Sequence, residues 1–251
     1  MKILSTLISS IKKDAPVREV IISTHSTLVC SHHCGISSTL FSTKPHGEEV
    51  IRDAGFLHQK TAKELANYAL SENTLESSIG LAAINSIIEI DPDSVIPMDA
   101  SLLAAKLSRG KNVTVVGHFP FIPKLKEVAS LCWVIEQNPI LGEYSTENAK
   151  DIIPQSDLIA ISASTLINHT LEGLLEFCRK DATVMLIGPS TPLSPLLFEF
   201  NIGILSGILV EDKTKVIKAI SQGAIFRQMQ GVKKKVMIKP QLRYLLEELL
   251  L

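Results

Sequence analysis

The sequence predicts two parts: an α+β N-terminal domain over residues 1–108, strands first and helices after, then an α/β domain with a mostly parallel sheet over residues 109–251. Three observations carry this. A β-branched run, Val113–Val116, stops at Gly117 and is followed by His118, Phe119, Pro120, Pro123 and the amphipathic pattern KLKEVASL. Proline has no N–H to leave unpaired and suits a first helical turn, so this reads as strand, turn and helix. Two further apolar runs, Leu158–Ser162 and Thr183–Ile187, end in the same kind of small, polar turn. Residues 17–41 instead hold short β-branched runs, and helical periodicities follow them.

The elements follow in order. Ile3, Leu4, Leu7, Ile8 and Ile11 fall on one helical face, and Lys12–Lys13 follow with no cleavage-type site, so the start is an amphipathic helix rather than a signal peptide. Strands are expected at Val17–Ile22, Thr27–Cys30 and Ile36–Phe41, and helices at Leu57–Leu70 and Leu75–Ile90. Residues 90–101, with three Asp and two Pro, read as a connector to a short helix at Leu102–Leu107. Beyond Val113–Val116, strands are expected at Cys132–Glu136, 157–162, Thr183–Ile187 and, last, Ile204–Val210. Residues 151–156 read as a connector. The stripe Leu166, Ile167, Leu171, Leu174, Leu175, Cys178 predicts one helix, and Thr214–Gln222 another. Leu242–Leu251 reads as a leucine-rich tail helix whose face could dock on the body or on a second copy, a homodimer contact.

Charge excludes some partners. With 25 basic and 26 acidic residues the net charge is −1, and aromatics are 5%, so there is neither the electrostatic footprint nor the stacking surface of a nucleic-acid binder. Lys233–Lys235 is the one basic run and reads as a solvated face. No run reaches the ~18 apolar residues that span a bilayer, so a membrane partner is not expected and a soluble, cytoplasmic protein is. Four cysteines in 251 residues do not make a disulfide framework.

In a doubly wound sheet, ligands sit where strands end and helices begin. That places Gly117, His118 and Phe119 after the first of these strands, Ser164 and Thr165 after the second, and Gly188, Pro189, Ser190 and Thr191 after the third, all facing one cleft. Asn168 lies in the first turns of the helix that follows the second strand. Glu136 stands 19 positions beyond Gly117, where dinucleotide-binding folds keep a ribose-binding acid, but G-H-F-P-F-I lacks the later glycines that a pyrophosphate needs. NAD is therefore disfavoured, while S-adenosylmethionine is not. His118 is the acid–base candidate, because an imidazole titrates near neutral pH, and Glu136 is its partner or a substrate-orienting group. Asn85 interrupts the apolar run GLAAINSII and must find a hydrogen-bond partner, in the fold or at the cleft. Cys30, His32, His33 and Cys34 are soft or borderline metal ligands within five residues, without the C-x2-C spacing of a structural zinc site.

Five segments together resemble a known family: GLAAINSI (80–87), VVGHFP (115–120), IEQNP (135–139), SASTLINHTLEGLL (162–175) and IGPSTPLSPLLFEFNIGILSG (187–207). The sequence is similar to the two-domain putative heavy-metal chelation family, although Ala163 stands where that family usually has glycine. The resemblance implies an enolase-N-terminal-like first domain, a Rossmann-like second domain, and a cleft built from both. It implies heavy-metal chelation, or condensation or hydrolysis of pterin-, flavin- or siderophore-like molecules. It marks Asn85, Gly117, His118, Glu136, Asn168 and Gly188–Thr191 as cleft candidates.

Three readings follow. The first is a small-molecule site with His118 and Glu136 catalytic. The second is a metal or metal-chelate binding protein without turnover, with a divalent metal ion as its cofactor and ligands from His118, His169 or the 30–34 cluster. The third is a methyltransferase-like protein using S-adenosylmethionine, and it rests on Glu136 and fold analogy.

Overall fold

The computed structural model describes residues 1–41 and 51–245. A small antiparallel sheet comes first, in the order β1 (Glu19–Ile22), β2 (Ser26–Cys30), β3 (Cys34–Ser38). Helices α1 (Lys2–Ser9), α2 (Ala62–Ala66) and α3 (Thr74–Ile87) accompany it. All five residues of β2 are buried, because both its faces are covered. Val29 points into the cluster that holds Ile79, Ala82 and Ala83 of α3, whereas Leu28 and Cys30 pack with Val216 and Ile220 from a helix of the second part. Helix α3 is buried nearly all round, and small residues let its neighbours approach closely. A Cβ on Gly35 of β3 would lie 2.3 Å from the Ala82 carbonyl oxygen, and one on Gly80 would lie 1.9 Å from the Ala69 nitrogen.

The second part is an eight-stranded sheet. Its strands are β4 (Ile96–Pro97), β5 (Asn112–Val116), β6 (Leu131–Glu136), β7 (Tyr144–Ser145), β8 (Leu158–Ser162), β9 (Thr183–Ile187), β10 (Ile204–Val210) and β11 (Val232–Ile238). Their order is β4-β11-β10-β9-β8-β5-β6-β7, parallel from β10 to β7, with β11 antiparallel to β10 and β4 antiparallel to β11. Helices α4 (Ala100–Leu107), α5 (Ile122–Val128), α6 (Ala149–Ile152), α7 (Leu171–Glu176) and α8 (Lys213–Ser221) flank it. The central strands bury both faces, as parallel strands under helices do. Succession runs outward from β5 in both directions, to β6 on one side and β8 on the other, so the switch point lies between the ends of β5 and β8. The expected two-part architecture therefore stands: a small antiparallel sheet with helices, then a larger, mostly parallel sheet. Among the described residues no helix is long and apolar enough to cross a membrane.

Several expected elements change. Ile204–Val210 is not the last strand, because VKKKVMI follows as β11. The three lysines hide it: Lys233 pairs with Glu211 and Lys234 with Asp99, and the strand becomes buried only at Val236. The connector at 90–101 supplies the two-residue strand β4, and Asp99 caps α4 by accepting from the Ser101 N–H. The connector at 151–156 overlaps α6 and a 3-10 turn. The single helix expected from Leu166 onward breaks, because His169 takes a left-handed φ of 60° and the Asn168 side chain accepts from Thr170. Leu57–Leu70 likewise divides at Thr61, where a capping box with Glu64 starts α2. The third strand is Cys34–Ser38 rather than Ile36–Phe41. Of the expected tail helix, Leu242 closes a 3-10 turn and Leu245 is buried; residues 246–251 lie outside the described residues.

Candidate functional site

The turns after β5, β8 and β9 converge on one cleft of about 700 Å3. Gly117 permits this: its φ is 112°, and a Cβ there would lie 2.9 Å from Cβ of Ser162, so only glycine lets the two turns lie side by side. His118, Phe119, Pro120 and Phe121 line the cleft after β5, Ser162 and Ser164 after β8, and Gly188, Pro189 and Ser190 after β9. Ser206 and Gly207 of β10 extend this floor. His25, Ser26 and Ser38 face it from the small sheet, and Arg227 and Lys234 lie on its wall.

His118 is held between two carboxylates. Its Nε2 lies 2.6 Å from Glu143 Oε1 and its Nδ1 lies 3.3 Å from Glu136 Oε1. A doubly protonated ring donates to both, and a neutral ring to one. Glu143 is fixed in turn, since its Oε2 accepts from the Ile140 N–H at 3.0 Å. That N–H chiefly, against some desolvation and with help from His118, holds the Glu143 carboxyl below the usual carboxylate range. The Gln137 N–H donates to Glu136 Oε2 at 3.2 Å. The imidazole is 52% exposed while the Glu143 side chain is 9% exposed, so the ring is open and its partner is covered. Beside it, Phe119 and Phe121 stack with ring centroids 4.9 Å apart. Sequence reasoning missed Glu143. Its signal was an acidic residue after the Gly142 turn, which brings Tyr144 and Ser145 back beside Ile135 and Glu136.

The other candidates divide. His118, Phe119, Ser164, Gly188, Pro189 and Ser190 line the cleft, Gly117 shapes the turn that leads into it without lining it, and Glu136 stands behind His118. Asn85, Thr165, Asn168 and Thr191 lie away from that lining. Asn85 Nδ2 donates to the carbonyls of Ile36 at 2.9 Å and Ser190 at 3.1 Å, tying β3 to the loop after β9. Thr165 donates to the Ser162 carbonyl at 2.6 Å. Asn168 forms the turn before α7. Thr191 is buried without a side-chain partner among the described residues, beside a void of about 20 Å3 that Asn85 also lines.

The 30–34 cluster is corrected. Cys30 and Cys34 are register partners on β2 and β3 and are joined as a disulfide, so neither offers a thiolate. His33 Nε2 meets the Asn85 carbonyl at 2.8 Å, and burial, opposed by that carbonyl, holds its imidazole below its ordinary range. His169 Nε2 is likewise engaged, by the Ala69 carbonyl at 2.8 Å. Among the described residues no three His, Cys, Asp or Glu side chains are placed to hold a metal ion between them.

Two family models, both described as putative heavy-metal chelation, match the chain in succession: DUF4213 at residues 4–88 and DUF364 at residues 99–239. The second alone covers more than half of the chain. The chain belongs to the putative heavy-metal chelation family. An uncharacterized protein of Methanocaldococcus jannaschii is 27% identical over 183 residues, 70% of this chain and 71% of that protein. A family member of unknown function from Desulfitobacterium hafniense has a crystal structure with a TM-score of 0.81 at 28% identity, covering 95% of this chain and 97% of that one. A family member from Pyrococcus horikoshii, also of unknown function, gives 0.78 at 22% identity, over 95% and 98%, a likeness of fold.

The family's description names heavy-metal chelation, and the donors of this cleft can be tested against it. Soft heavy metals take thiolates. None of the four cysteines lines the cleft: Cys30 and Cys34 are joined to each other, and burial pushes the Cys178 thiol up to about 12 and raises that of Cys132, so both stay protonated. The cleft offers two imidazoles, those of His25 and His118, and both nitrogens of His118 already face carboxylates. Without a thiolate, that set fits a bare soft ion poorly.

Proposed function

We propose that the cleft binds an organic metal chelator, free or loaded, and that His118 moves a proton to or from it. One observation carries the reading: a half-exposed imidazole with both nitrogens on carboxylates, at the switch point of the sheet, next to a stacked phenylalanine pair. Chelating atoms lose protons when they take a metal and regain them when they release it. A relay of His118 and Glu143, with Glu136 orienting the ring, gives those protons a place to go. Phe119 and Phe121 supply an apolar wall for a flat ring, such as that of a pterin-like, flavin-like or siderophore-like molecule. The His118–Glu143 pair also suits condensation or hydrolysis of such a molecule. In this reading residues 1–108, enolase-N-terminal-like by resemblance, close one side of the cleft, and the Rossmann-like residues 109–251 carry the chemistry.

The reading through S-adenosylmethionine loses ground, because the Glu136 carboxylate it relied on faces His118 and the Gln137 N–H. A non-catalytic metal-chelate binder uses the same cleft without proton transfer. The test is a titration of the chain with a catecholate, free and as its ferric and zinc complexes, beside the bare ions, in a weak buffer that reports proton release or uptake, the free chelator being the form that can exchange a proton with His118. We expect the complexes to bind one per chain, and His118→Gln to abolish the proton exchange while leaving affinity within about threefold. Stoichiometric binding of the bare ions with none of the complex would overturn chelator binding. An unchanged proton count in His118→Gln would leave binding without the relay.

A further inference from the structure

The cleft lining is rich in hydroxyls and cations. Seven serines line it, with His25, His118, Arg227 and Lys234. Asp99 is the one carboxylate of that lining among the described residues, and it is fully engaged. Its Oδ2 meets Lys234 Nζ at 2.6 Å, and its Oδ1 accepts from the Ser101 N–H at 2.9 Å and the Ser101 hydroxyl at 2.8 Å. Lys234 is thereby neutralised. His118 faces two carboxylates, Glu136 and Glu143, so that corner is net negative even when the ring is protonated. Arg227 differs: it is exposed on the wall of the cleft and forms no hydrogen bond or ion pair with any described residue. Among the described residues, the always-charged lining cation without a carboxylate partner is therefore a guanidinium, whose planar fork matches carboxylate and phosphate oxygens two at a time.

We infer that Arg227 forms an anion subsite, so the ligand of this cleft carries a carboxylate or phosphate group in addition to the part that lies against Phe119. This rests on the reading of the cleft as a small-molecule site and adds to it the ligand's charge. The hydroxyls of Ser162 and Ser164, 2.8 Å apart, can donate to further acceptor oxygens once they turn from each other. An anionic, acceptor-rich ligand meets the Arg227 fork and hydroxyl donors together.

The experiment is a calorimetric titration of the full chain with citrate and, separately, with inorganic phosphate, repeated at raised salt and on Arg227→Gln, Arg227→Lys and His118→Gln. Charge-assisted hydrogen bonds of this kind change affinity by about tenfold to a hundredfold. We expect at least one anion to bind the native chain, Arg227→Gln to weaken it within that range, and Arg227→Lys to recover part of the loss without the bidentate contact. Preference for citrate assigns the subsite to carboxylates, and preference for phosphate assigns it to phosphoryl groups. Arg227 is exposed, so these variants leave the core untouched. Binding retained in His118→Gln but lost in Arg227→Gln supports the subsite whether or not His118 transfers protons. Loss in His118→Gln with no change in Arg227→Gln places the anion on the imidazole and overturns the inference. So does the absence of binding of either anion to the native chain.

Discussion

Two polar regions meet within this molecule and treat their side chains in opposite ways. At the seam between the small sheet and its neighbours, polar groups are matched inside the protein. Ser31 bonds to Ser86, Ser37 donates to the Ser78 carbonyl, Ser38 N–H donates to Ser190 Oγ at 2.7 Å, and Asn85 bridges Ile36 and Ser190. In the cleft on the far side of the same loop, His118 is half exposed and Arg227 has no protein partner among the described residues. A buried polar group must be satisfied where it is, whereas a group facing a cleft can keep capacity for a ligand. The contrast sorts the candidates better than residue type does, since Asn85 is as polar as anything in the cleft yet is committed to the fold, and Ser190, though it lines the cleft, is bonded to Ser38 and Asn85.

The seam should break most sharply at its tightest contact. In Gly80→Ala the new methyl would lie 1.9 Å from the Ala69 nitrogen and 2.5 Å from its Cα, and neither is a side chain that can rotate away. Alanine favours a helix interior over glycine by about 1 kcal/mol, so propensity alone predicts stabilisation. Overpacking against backbone outweighs that, and we expect a loss of about 3 kcal/mol or failure to fold. Urea denaturation decides it; a higher midpoint would mean that α3 and residues 67–70 are not packed as described.

Asn85→Ala is next. It leaves the Ile36 and Ser190 carbonyls without their amide donor, and an unsatisfied buried group costs about 1–3 kcal/mol. We expect about 2 kcal/mol lost from stability, with the citrate or phosphate affinity of the folded fraction changed less than threefold. The reverse pattern, stability kept and affinity lost, would move Asn85 from the seam to the cleft and undo the distinction.

The fold was legible in the sequence where local pattern and burial agree. Val113–Val116, Leu158–Ser162 and Thr183–Ile187 are apolar because helices cover both faces, and Gly117 and Gly188 mark their ends. Strand β11 was illegible because its lysines belong to an ion-paired margin of the sheet. The disulfide was illegible because it depends on the register of β2 against β3, which places Cys30 opposite Cys34. For the site, convergence of three turns followed from the logic of a doubly wound sheet, and His118 with it. Glu143 did not, because its place depends on a two-residue strand pairing with Ile135 and Glu136. Asn85 was legible as a residue in need of a partner; which partner was a matter of tertiary contact.

The finest distinction concerns Glu143, which belongs to both kinds of region: it fastens its own loop through Ile140 and it faces His118. Its carboxyl is held below the usual carboxylate range, chiefly by the Ile140 N–H. A group whose folded-state value is depressed contributes stability that is fully present above its unfolded value, about 4.3 for glutamate, and is lost as pH falls through the folded value. The stability difference between the native chain and Glu143→Gln should therefore be constant from neutral pH down to that value and shrink below it. Glutamine keeps an acceptor for Ile140 and removes the charge facing His118, so a small difference with this acid dependence isolates the ionic part of the contact. A difference that does not change with pH would make Glu143 a neutral loop clasp, and the proton relay would then rest on His118 and Glu136 alone.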